Sequence, residues 1–226
     1  MSAIELKKVS KSYKTGQFNV EALRDVDIQI EKGEMVAIMG PSGSGKSTLM
    51  HIIGLLDHPT RGELYIDGKQ VDLKMPDAQL AKLRSDKIGF VFQTFNLLSK
   101  LSALDNVLMP TQYRKVGKRD RLSRAMELLA EVGLKGREKH RPPELSGGQI
   151  QRVAIARSLI NNPDIILADE PTGNLDSKSG TEIMNVLIEL NKKGKTVVLI
   201  THDQRIADFA SRTIRILDGA VEKGTK

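Results

Sequence analysis

Met35-Val36-Ala37-Ile38-Met39 runs directly into Gly40-Pro41-Ser42-Gly43-Ser44-Gly45-Lys46-Ser47-Thr48. A short, continuously apolar run suits a strand covered on both faces. After the glycines, Leu49, Met50, Ile52, Ile53 and Leu56 recur at helical spacing, so a helix is expected over Ser47–Leu56. The joint between strand and helix matches G-x-x-x-x-G-K-[ST] at every fixed position. Its glycines let backbone N–H groups turn inward and approach phosphate oxygens without side-chain obstruction. The helix start adds unpaired donors and the favourable end of its dipole. The stretch thus reads as strand, phosphate cradle and helix. Gly40, Ser42, Gly43, Ser44, Gly45, Lys46, Ser47 and Thr48 are its expected nucleotide contacts. Lys46 would reach the β- and γ-phosphates, and the Ser47 hydroxyl would take a Mg²⁺ position.

A second apolar strand, Ile165–Ala168, ends in Asp169-Glu170. A carboxylate at a strand's C-terminal end beside such a cradle can hold Mg²⁺ directly or through water, because Mg²⁺ keeps several waters. Asp169 fits that role, and Glu170 could polarise an attacking water as general base.

Around these anchors the chain changes character twice. The first part predicts short strands at Ala3–Val9, Val26–Ile30, Glu34–Ile38 and Glu63–Ile66, then another at Lys87–Phe92. Helices are expected at Lys118–Val132, stopped by Gly133, and at Gln149–Leu159 with Val153, Ala154 and Leu159 inward. Strand Ile165–Ala168, helix Gly180–Asn191 and strand Thr196–Ile200 then follow. The order is a β-rich start, a helical insertion around residues 94–158, and an α/β ending.

Composition sets the outer bounds. The 226 residues are 39% hydrophobic and 28% charged, enough for one large α/β domain with an inserted part. With no cysteine, disulfides and thiolate metal sites are excluded, and a reducing compartment is the natural reading. The first residues do not resemble a signal peptide, and the run Met35–Met39 is far short of the ~20 residues that span a bilayer. The net charge of +7 is scattered through residues such as Arg114, Lys118, Arg119, Lys135 and Arg141 with few aromatics among them. That pattern favours a solvated basic face over a stacking surface, so no nucleic-acid partner is expected.

Leu145-Ser146-Gly147-Gly148-Gln149 completes the argument. Ser146 and Gln149 have the spacing of a capping box, and the two glycines leave backbone donors open to an anion. Together with the cradle, this segment resembles the signature motif of the ABC ATPases, and the resemblance extends over essentially the whole chain. Tyr13 matches the adenine-stacking aromatic, Gln93 the Q-loop glutamine, Asn174-Leu175-Asp176 the D-loop and His202 the switch histidine. Singly, Tyr13 could be a strand surface residue, Gln93 a polar strand end, Asp176 an N-cap and His202 a satisfied loop residue. One departure is Ile150, where the family usually carries a polar residue.

The resemblance implies an α/β fold: a P-loop NTPase (RecA-like) core at 1–93 and 159–226, with an antiparallel β-subdomain and a helical subdomain at about 94–158. It implies ATP and Mg²⁺ as ligands, with Ser47, Gln93 and Asp169 at the metal and Glu170 and His202 as catalytic groups. It further implies an ATP-dependent homodimer in which Ser146, Gly147, Gly148 and Gln149 of one copy complete the site of the other. Separate transmembrane permease subunits would be the partners, placing the chain on the cytoplasmic face of the inner membrane. Phe95 and Leu97, expected to be exposed, could dock such a subunit or serve the core. The words Ile52–Asp57, Phe90–Leu97 and Ala168–Asp176 resemble the prokaryotic branch that serves lipoprotein release, macrolide and peptide-antibiotic export and cell-division signalling. Soluble ABC ATPases acting on nucleic acid or ribosomes are the alternative. They typically need a long coiled-coil insertion or tandem ATPase domains, and this sequence has neither.

Overall fold

The computed structural model describes residues 1–16, 18–72, 74–112, 114 and 117–222. β1 (Ser2–Thr15) and β2 (Phe18–Glu31) form a long antiparallel hairpin. With β4 (Arg61–Ile66) and β5 (Lys69–Gln70) they make a four-stranded sheet in the order β2-β1-β4-β5. β3 (Met35–Met39), β6 (Ile88–Val91), β7 (Ile165–Asp169), β8 (Thr196–Thr201), β9 (Arg212–Leu217) and β10 (Ala220–Val221) build the second sheet. Its order is β10-β9-β3-β8-β7-β6, with every pairing parallel except β10 on β9.

Alternation along the strands fills two layers at once. Val36 and Ile38 of β3 face a core shared with the antiparallel sheet and with Leu49, Met50, Ile52 and Ile53 of α1 (Lys46–Ile53). Ala37 and Met39 face the other side, toward α4 (Lys118–Glu131), α5 (Gly147–Leu159) and α6 (Ser177–Lys192). Both layers exclude water, which is why β3, β7 and β8 read as unbroken apolar runs.

Most expected elements lie within a few residues of their observed bounds, with instructive differences. β1 and β2 run well beyond Ala3–Val9 and Val26–Ile30 because their outer halves pair in the open, with register shifts on both sides of Val9. α1 stops at Ile53, where Gly54 caps it and Leu55 turns left-handed at φ 55°. α2 (Asp77–Lys87) was not expected: it buries only Leu80, so it carries no apolar stripe to read. α3 (Ala103–Leu108), α7 (Gln204–Ala207), β9 and β10 are likewise additions. In α4 the inward face is Ala125, Leu128 and Leu129, while Leu122 and Met126 of the apolar spacing are exposed. Gly133 follows that helix at φ 78°, a left-handed turn that glycine tolerates best.

Candidate active site

Parallel pairing brings the candidate residues to one edge of the sheet. Met39 pairs with Thr201, Ile200 with Asp169 and Ala168 with Val91. Residues just past these strand ends are Gly40, His202, Glu170 and Gln93, all at the carboxyl ends of β3, β8, β7 and β6. Ligands of parallel α/β sheets bind along that edge.

Two glycines of the cradle, Gly40 and Gly45, have no room for anything larger. A Cβ at Gly40 would collide with the Ile216 carbonyl oxygen and the Ser44 hydroxyl. At Gly45, with φ 105°, it would meet the Ala22 carbonyl oxygen at 2.5 Å and Leu23 Cδ2 at 2.9 Å. α1 starts here with no capping side chain and no acid in its first turn. Its first N–H donors are therefore left for an anion. Lys46 Nζ folds back to donate to the Gly40 carbonyl at 2.8 Å and the Pro41 carbonyl at 2.7 Å. Burial lowers Lys46 below the usual lysine value, against the opposing pull of Glu170 and Asp169. The Ser44 hydroxyl is buried without a partner, and Ser47 stands exposed in the first turn.

Glu170 is the most constrained side chain of the site. Its backbone turns left-handed at φ 42°, and its amide donates to the Ile200 carbonyl at 2.9 Å. Its carboxylate accepts from Thr201 Oγ1 at 3.1 Å, from the His202 amide at 3.0 Å and from His202 Nδ1 at 2.5 Å. The His202 ring is otherwise in the open, with 71% of the side chain exposed. A carboxylate with Oε2 held by Thr201 and Oε1 shared by the His202 amide and ring can take a proton from water and keep a mobile imidazole nearby. Beside it, burial raises Asp169 above the usual aspartate value, and repulsion from Glu170 adds to that; His51 and Lys46 pull the other way.

This surplus of negative charge fits a divalent cation. Among the described residues no cluster of three or more His, Cys, Asp or Glu could hold a metal alone. An oxygen set drawn from Ser47, Asp169 and Gln93 would therefore have to be completed by phosphate and water, the habit of Mg²⁺.

Gln93 lies against the segment after β7. A Cβ at Gly173 would come within 2.7 Å of Gln93 Nε2, and Asn174 Nδ2 donates to the Gln93 carbonyl at 2.9 Å. Tyr13 donates its hydroxyl to Asp57 at 2.8 Å, and Lys11 bonds the same carboxylate at 2.6 Å while its ammonium lies 4.8 Å from the centre of the Tyr13 ring. Burial raises the Tyr13 phenol, helped by Asp57, while a hydrogen bond with the Thr48 side chain at the cradle's end lowers it. Tyr13 is thus a surface residue of β1 tied to the cradle helix.

Ser146 to Gln149 form the capping box read from their spacing: Ser146 N donates to Gln149 Oε1 at 3.0 Å, and Gln149 N to Ser146 Oγ at 3.4 Å. The glycines here serve close packing as well as openness. A Cβ at Gly147 would lie 3.2 Å from Leu175, and one at Gly148 3.1 Å from Ser179. Asp176 caps α6 through the Lys178 and Ser179 amides. Residues 146–149 bond to one another, and their glycines pack against Leu175 and Ser179. Ile150 packs against the helical-side core. Phe95 and Leu97 are half-buried, contrary to expectation, and Leu98 is the exposed apolar side chain at 49%. Gln151 and Arg157, both tied to the neighbourhood of Gln93, were not anticipated. Their only signal was a polar residue at an inward helical position.

Comparison with known proteins shows the family. Residues 23–173 match the family model described as ABC transporter. An ABC transporter ATP-binding protein of Bacillus subtilis, YvrO, is 54% identical over 96% of this chain and 94% of its own length. The macrolide export ATP-binding/permease protein MacB of Escherichia coli is 54% identical over 96% of this chain, which spans only 34% of MacB. Among solved structures, the dimeric post-hydrolysis state of the ATP-binding cassette MJ0796 bound to ADP and Pi superposes with a TM-score of 0.88. It shows 52% identity and covers 97% of both chains. The cradle at the strand edge, the carboxylates beside it and these relatives together make the chain an ATPase of the ABC transporter family.

Proposed function

We propose that this chain hydrolyses ATP as one half of a nucleotide-clamped homodimer that drives separate membrane permease subunits from the cytoplasmic face of the membrane. The observation that carries the reading is the capped start of α5: the box of Ser146 and Gln149 occupies their own amides and leaves those of Gly147 and Gly148, in the first turn, as donors for an anion. In a second copy turned head to tail, those donors would meet the γ-phosphate held by residues 40–48. That is formally like an arginine finger supplied in trans, worth ~10³–10⁵ in rate in other NTPases. The relative MJ0796 has been solved as a dimer, which supports the arrangement.

Within one copy, the amides of 40–48 and Lys46 grip the phosphates, and Tyr13 offers its ring to the adenine. Glu170 takes the proton of the attacking water, and His202, released from Glu170, holds the γ-phosphate. Ser47, Asp169 and Gln93 would hold Mg²⁺, which would supply positive charge against the phosphate oxygens. Residues 1–93 and 159–226 act as the core and 94–158 as the helical subdomain that carries the trans contacts. MacB joins ATP-binding and permease functions in its name, which supports work on a permease; this chain spans 34% of MacB. No helix among the described residues is long and apolar enough to cross a membrane. The test is ATP-dependent dimerisation followed by light scattering, with copurification of a membrane protein by the chain from its own cells. A chain that hydrolyses ATP strictly as a monomer overturns the clamp.

A further inference from the structure

α5 holds the turn around Gln93 from both sides. Gln151, fully buried, donates Nε2 to the Phe92 carbonyl at 3.4 Å, one residue before Gln93, and to the Pro171 carbonyl at 2.7 Å, one residue after Glu170. Arg157, farther along the same helix, donates Nη2 to the Phe95 carbonyl at 2.8 Å and Nη1 to that of Asn96. Phe95 and Asn96 are consecutive left-handed residues, at φ 60° and 51°. That conformation is disfavoured for a bulky side chain and persists only where its surroundings hold it. Arg157 meets no carboxylate among the described residues, and burial lowers it from the usual arginine value. A half-buried guanidinium spent wholly on two carbonyls of a strained turn fixes that turn's position. Gln151 makes the same point, because its Oε1 is buried with no partner, a cost an apolar side chain would avoid.

We propose that Arg157 and Gln151 are positioning residues for Gln93. They fix the backbone on both sides of it and so set its amide beside the segment that follows β7. The proposal rests on Gln93 being a Mg²⁺–nucleotide contact. Its consequence is that disturbing Arg157 weakens the metal-dependent part of nucleotide binding and spares the rest.

The experiment measures equilibrium affinity for a non-hydrolysable ATP analogue with and without Mg²⁺ in wild type, Gln93→Ala, Arg157→Lys, Gln151→Leu and the Gln93→Ala/Arg157→Lys double variant. Lysine keeps the charge but cannot make the forked pair of bonds. Arg157→Lys is expected to lose about tenfold of the Mg²⁺-dependent gain, to leave metal-free affinity unchanged, and to add nothing to Gln93→Ala. Gln151→Leu, which also deletes the unpaired acceptor, is expected to fold and to show the same loss. Amide exchange should quicken at residues 93–98 in Arg157→Lys and stay unchanged in β7. If Gln93→Ala loses the gain while Arg157→Lys and Gln151→Leu retain it, the positioning role is wrong. If Gln93→Ala itself retains the gain, the metal reading of Gln93 fails and the proposal falls with it.

Discussion

Replacing Glu170 by glutamine isolates its chemistry from its geometry. The left-handed backbone at φ 42° is indifferent to the change, and the one remaining oxygen can still accept from the His202 amide, while the new NH₂ takes the place of the oxygen that Thr201 Oγ1 bonds and can donate to that hydroxyl instead. Lost are the ability to accept a proton and the negative charge beside Asp169. General-base assistance is worth about 10²–10⁴ in rate, or about 3–5 kcal/mol of barrier, and turnover should fall by that amount. Nucleotide affinity should hold or tighten, because one carboxylate's repulsion toward a triphosphate has been removed. With hydrolysis blocked and binding intact, ATP should accumulate a dimer. Phosphate release gives the rate, equilibrium titration the affinity, and light scattering the mass. Turnover within about threefold of wild type in a folded variant would refute the assignment of Glu170 as base.

Lys46→Ala should weaken nucleotide binding itself, seen by titration, because the lysine that now bonds Gly40 and Pro41 is the cradle's only side-chain cation. Ser146→Arg should block dimer closure in ATP while one-copy binding persists, and it should lower stability by about 1 kcal/mol through loss of the α5 cap. Ser146→Asp, which keeps a capping oxygen, should block closure without that loss; a dimer of normal stability in ATP would count against the trans contact. Asp169→Asn should raise the melting temperature of the nucleotide-free protein at neutral pH. The folded Asp169 titrates above the ordinary aspartate value of 3.8, so its ionised form disfavours folding once pH exceeds that value, and the penalty fades as pH falls toward it. The stabilisation should therefore shrink in acid while Mg²⁺-dependent turnover is lost at neutral pH, and melting curves across pH with an ATPase assay check both parts.

The nucleotide chemistry was written in short local words. Gly40 to Ser47 is a turn whose glycine spacing permits one kind of backbone, so strand, cradle and helix could be read without any distant contact. The same holds for Asp169-Glu170 at the end of an apolar run and for the capping box of Ser146 and Gln149, because each depends on residues at most a turn apart. Tertiary structure alone decided the rest. α2 has almost no buried face, β9 finds its place by pairing with β3, and Leu97 rather than Leu98 packs against the helical-side core. Pairing across more than thirty residues placed His202 on Glu170, and packing of α5 against the ends of β6 and β7 put Gln151 and Arg157 on either side of Gln93. Local stereochemistry can be read from neighbouring residues. Which buried polar group meets which carbonyl depends on how two layers close over one sheet.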